Sequence, residues 1–120
     1  MSIKNYSAGG AIEKYRIVKF SADGTVVQAT AATDALIGVS GIPNPAVSGN
    51  RVDVVRAGAA MAELGGTVTR GDFLTADSNG KAITAAPAAG VNARTIGVAD
   101  VSGVSGDIIW IVVNAGSVQG

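Results

Sequence analysis

The chain states one pattern twice, and this duplication limits what it can fold into more than any single motif does. The stretch "SADGTVVQATAATDALIGVSGIPNPAVSGNRVDVVRAGAA" runs from Ser21 to Ala60, and "ADSNGKAITAAPAAGVNARTIGVADVSGVSGDIIWIVVNAGS" runs from Ala76 to Ser117. In each, a turn dipeptide (Asp23-Gly24; Asn79-Gly80) leads into a short alternating segment and then an alanine-rich connector. Next come Ile-Gly-Val (Ile37 to Val39; Ile96 to Val98), Ser-Gly-Asn or Ser-Gly-Asp, a β-branched run and Ala-Gly. The period is about 57 residues, which is the size of one supersecondary unit.

The local signals are those of strands. Asp-Gly and Asn-Gly favour tight hairpin turns, because both central residues tolerate positive φ. Thr25 to Ala29 and Lys81 to Thr84 follow those turns, with Glu13 to Phe20 and Gly71 to Ala76 as the strands before them. "RVDVVR" sets Val52 and Val54 against Arg51 and Asp53, the pattern of a sheet wet on one side. "DIIWIVV", Asp107 to Val113, has no polar face, so it is expected to be covered on both sides, by its own domain or by a neighbouring subunit. The expectation is an all-β fold: a small sandwich or barrel of two tandem motifs, about 21–58 and 76–116, within one domain spanning 12–120. Residues 1–11 are polar, end near Gly9-Gly10 and show no period, so they read as a flexible N-terminal arm.

Composition then removes most chemistry. There is no cysteine and no histidine, which excludes disulfides, thiolate metal sites and the commonest general base and metal ligand. Nine basic and nine acidic residues cancel, leaving no net field to draw nucleic acid or an anionic membrane. No apolar run approaches bilayer length, and the start "MSIKNYSAGG" lacks a signal-peptide core, so synthesis in the cytoplasm is expected. Seventeen glycines stand beside two Phe, two Tyr and one Trp, so the core must be built from Ala, Val and Ile.

No arrangement of the remaining polar residues marks a reaction. The carboxylates sit mostly beside glycine or in turns, where Asp caps its own backbone. "DSNG", Asp77 to Gly80, opens like a calcium loop but lacks the later ligands. Serine–histidine chemistry is excluded, no serine–lysine spacing stands out, and no glycine-rich phosphate loop opens a helix. The expectation is a protein that is not an enzyme and that holds no cofactor and no metal. Contact residues are the better candidates: Ile3 and Tyr6 on the arm, and Ile109 and Ile111 on one face of the last strand. Trp110, the largest apolar group, is assigned to the core on the opposite face.

The order of turn, alanine-rich stretch, "IGVA", "SGD" and β-branched strand ending in "AG" resembles the phage capsid cement, or head decoration, proteins. Gly65 to Ala99 carries most of the likeness, which spans Ile12 to Gly116, and the order is more weakly similar to the head-stabilising protein of lambda-like phages. The resemblance implies a structural virion protein on the capsid exterior. It would bind the major capsid protein and cement contacts between capsomers, commonly as a homotrimer, with no nucleic acid or membrane partner. Other readings are a tail, spike or fibre module, or a carbohydrate-binding β-module. The last needs exposed aromatics on which sugar rings stack.

Overall fold

A computed structural model describes residues 2–40, 47–87 and 89–119. Met1 and Gly120, at the ends of the expected arm and domain, lie outside the described residues, as do residues 41–46 and 88 within the expected motifs. The described residues form nine strands and no helix: β1 (Ser2–Ala8), β2 (Arg16–Ala22), β3 (Thr25–Gln28), β4 (Leu36–Ser40), β5 (Arg51–Glu63), β6 (Phe73–Ala76), β7 (Ala82–Thr84), β8 (Asn92–Ala99) and β9 (Ile108–Gln119). The all-β expectation holds.

Strand order in the sheet is β1-β3-β2-β4-β5-β9-β8-β6-β7. After β1 it reads the same from either end, once β2 is matched with β6, β3 with β7, β4 with β8 and β5 with β9. The registers agree residue by residue. Val18 stands opposite Gly38 and Gln28 in the first half, and Leu74 stands opposite Gly97 and Thr84 in the second. Val39 pairs with Val55 as Val98 pairs with Val112. The turns match as well: Gly24 and Gly80 have φ of 68° and 72°, and Gly49 and Gly106 have φ of 89° and 92°.

The N-terminal segment is not an arm. β1 pairs antiparallel with β5, from Ser2↔Ala57 to Ser7↔Arg51, and parallel with β3, which closes a five-stranded barrel β1-β3-β2-β4-β5. Its counterpart is the second half of β5, which pairs with β9 from Ala57↔Asn114 to Glu63↔Ile108. The bridge Leu64↔Ala82 then brings that strand round to β7, as Ala8↔Val26 brings β1 round to β3. Each repeat therefore starts earlier than the sequence reading placed it. The first begins at β1 and the second in mid-β5, so the duplication fills the chain. A sequence signal for this exists in Gly9-Gly10 before Ile12, answered by Gly65-Gly66 before Val68.

The two cores correspond side chain for side chain. One cluster holds Tyr6, Ala8, Ile12, Val18, Val26, Val52 and Val54. The positions equivalent to them, Ala62, Leu64, Val68, Leu74, Ala82, Ile109 and Ile111, all lie in the other cluster. Tyr6 is matched in the second repeat by a small Ala62, and Ala8 by a larger Leu64, so volume is exchanged between neighbouring positions and both cores fill. The second cluster also contains Ile17, Leu36, Val39 and Val55 of the first repeat, packed with Ala60, Ala76 and Val113 of the second. That is the seam between the barrels. There Ile17 N–H donates to the Gly80 carbonyl at 2.8 Å, and Gln28 Nε2 and Arg16 Nε donate to the Asn79 carbonyl at 2.7 and 3.1 Å.

Candidate docking faces

Alternation along β9 divides "IIWIVV" cleanly. Ile109, Ile111 and Val113 point inward and are buried, Ile111 completely. Ile108, Trp110 and Val112 point outward, with Trp110 50% exposed. Both faces are thus the reverse of the sequence expectation: Trp110 is on the surface, and Ile109 and Ile111 are core. The cause is that an all-apolar strand carries no polar residue to fix its phase. The first repeat supplies that phase. Val52 and Val54 correspond to Ile109 and Ile111, and Asp53 corresponds to Trp110.

The outward side chains join across strands. Val112 lies opposite Val98 and Ala59, Val98 lies opposite Phe73, and Trp110 lies opposite Met61. Cross-strand partners share a face, so Phe73, Val98, Val112, Trp110 and Ile108 form one apolar surface, on which Phe73 is 56% exposed. Exposed apolar surface of this continuity marks a contact site more often than scattered single residues do. The corresponding surface of the first repeat around Asp53 is polar. Asn5 Nδ2 donates to Asp53 Oδ1 at 3.0 Å, Arg51 Nη1 to Ser7 Oγ at 3.0 Å, and Arg51 Nε to Asn5 Oδ1.

The two candidates on β1 separate. Ile3 is exposed (53%), opposite Val55, whereas Tyr6 is buried in the first barrel's core. Tyr6 meets the Phe20 ring edge-on at 6.0 Å, and Lys4 Nζ lies 5.2 Å from its centroid. Together with Asp23, Gly24 and Arg56, these residues line an open groove of about 560 Å³.

Several charged groups hold the structure together. Glu63 lies in the seam between Arg16 (2.8 Å) and Lys81 (3.2 Å). Burial pushes its carboxyl up, but hydrogen bonds and charge from those two cations outweigh this and hold it below its ordinary range. Asp34 is likewise raised by burial and more than offset, first by the Thr30 backbone N–H and then by Lys19. In the calcium-like "DSNG", Asp77 Oδ1 accepts from the backbone N–H groups of Asn79 and Lys81, so this carboxylate caps its own turn.

Fold and surface together define an all-β protein of two matching halves whose distinctive surface feature is the continuous exposed apolar face of Phe73, Val98, Val112, Trp110 and Ile108. No protein-family model and no curated protein sequence matches the chain. Among solved structures it is similar to the N base of the head fiber gp8.5 of bacteriophage phi29. The TM-score is 0.68 at 18% identity, over 94% of this chain and 93% of that one.

Proposed function

We propose that the chain is a structural component of a phage virion that binds the outside of the head. It contacts the major capsid protein, reinforces contacts between capsomers, and acts as a homo-oligomer, with a trimer favoured. It is made in the host cytoplasm and carries out no catalytic step. The observation that carries the reading is the end-to-end likeness to a phage head-fiber base, which extends over nearly the whole of both chains. The exposed apolar face supports it. Repeated contacts on a symmetric shell add up, so a modest interface suffices.

A base on which a longer fibre is mounted is the second reading, favoured by the same likeness. Exposure of Trp110 removes one objection to a sugar-binding module, but its neighbours Ile108, Val112 and Met61 offer no hydrogen bonds to sugar hydroxyls. Mixing the purified protein with unexpanded and expanded heads separates the readings. Saturable binding at a fixed ratio to capsid protein, with heads made more resistant to heat, is the expected result. Saturable binding without that resistance supports the fibre base, and no binding to either form overturns both.

A further inference from the structure

The seam inside the chain shows how one repeat receives another, and among the described residues each repeat leaves the counterpart of the other half of that seam exposed. In the seam, the first repeat offers Ile17, Val39 and Val55. The second offers Ala60, Ala76 and Val113, with the Asn79-Gly80 turn laid over Ile17. Transferring each set through the duplication gives two surfaces. The second repeat's counterparts of Ile17, Val39 and Val55 are Phe73, Val98 and Val112, the apolar ladder described above. The first repeat's counterparts of Ala60, Ala76, Val113 and the Asn79-Gly80 turn are Lys4, Phe20, Arg56 and the Asp23-Gly24 turn. These are the residues that line the open groove. Phe20 and Phe73, one on each surface, are both exposed.

We propose that copies of this chain associate head to tail, the Phe73–Val98–Val112 face of one copy receiving the Phe20–Asp23–Gly24 groove face of the next. The inference deepens the self-association included in the proposed function and does not depend on capsid binding. Contacts of this kind use two different patches, so they are heterologous and close into a ring when the rotation permits. Lys4 and Arg56 stand where the internal seam has Ala60 and Val113. The contact between copies is therefore less apolar than the internal one, and it is reversible.

The test uses the full chain in sedimentation velocity over a range of concentrations, without heads. Phe73→Asp damages one face and Phe20→Asp the other, at exposed positions; Val112→Lys and Arg56→Glu replace either variant if its melt shows loss of fold. The wild type is expected to exceed monomer mass as concentration rises, and each variant alone to remain monomeric. An equimolar mixture of the two is expected to form a dimer and stop there, because one undamaged pair of faces survives. A wild type that stays monomeric overturns the proposal. So does a Phe20→Asp chain that still self-associates, or a mixture that remains monomeric. None of these results touches binding to heads, which is measured separately.

Discussion

Gly97 leaves room for the carbonyl oxygen of Val112: a Cβ built on Gly97 would overlap it. In the first repeat, Gly38 does the same for the carbonyl of Val55. At each place two adjacent strands come closer than any side chain permits, and at Gly97 the pairing of β8 with β9 also shifts register. Gly97 also has a φ of 149°, which L residues rarely adopt. Gly97→Ala is therefore expected to cost on the order of 3 kcal/mol or more, from overpacking plus backbone strain. Gly38→Ala is expected to cost less, since its φ is ordinary. Urea denaturation of both variants checks this ranking, and a Gly97→Ala protein as stable as the parent contradicts the close approach.

β1 carries a second prediction. Read as an arm, residues 1–10 are dispensable. As a barrel strand they are not, because Tyr6 and Ala8 are core and the edges of β3 and β5 are exposed when β1 is lost. Deleting residues 1–10 is expected to lower the Tm of the free protein by at least about 10 °C, and Tyr6→Ala alone to cost about 3–5 kcal/mol. An unchanged melt in the deletion restores the arm.

How far the sequence revealed this fold depends on where polar residues and turns mark it. Asp23-Gly24 and Asn79-Gly80 fixed two hairpins, and Arg51 and Asp53 fixed the phase of β5. β1 was missed because "SIKNYSA" buries only Tyr6 and Ala8, too few for a period to show, while its place is set by pairing with Arg51 to Ala57, far away in sequence. The outward apolar face of β9 was missed for the opposite reason. Every residue from Ile108 to Val113 suits either side of a sheet, and only its correspondence with "RVDVVR" breaks the tie. Both misses fall where information is nonlocal, and the duplication holds it in each case.

Acid is expected to weaken the seam. Glu63 is held below its ordinary value of 4.5 in the folded chain by Arg16 and Lys81, against the raising effect of burial. A carboxylate depressed on folding contributes stability that is fully present above the unfolded value and is lost as pH falls through the folded one. The wild type should therefore lose stability from about pH 4.5 downward, and Asp34, lowered from 3.8, should add to that loss further down. In Glu63→Gln this carboxyl is gone. Its Tm is expected to lie below the parent's at neutral pH and to approach it in acid. A gap that stays constant from pH 7 to pH 3 assigns the effect to packing alone.

Trp110 and Ile111 are neighbours in sequence, and the fold gives them opposite costs. Ile111 is completely buried, in the position that Val54 occupies in the first barrel. Ile111→Ser removes its packing and leaves a hydroxyl in an apolar core, an expected loss of about 3–5 kcal/mol. Trp110 keeps half its surface in water, so Trp110→Ala loses only the covered half, on the order of 1–2 kcal/mol. A tryptophan in the core would instead cost about 3–5 kcal/mol. Denaturation at concentrations low enough to exclude association isolates these terms. The expected order is Ile111→Ser well below Trp110→Ala, with Trp110→Ala close to the parent. At high protein or on heads the same Trp110→Ala chain should show its second effect, since the indole borders Val112 on the apolar face and contributes area to whatever covers it. If Trp110→Ala is the more damaging of the two in dilute solution, the indole lies inside the barrel and the outward face of β9 has been assigned to the wrong residues.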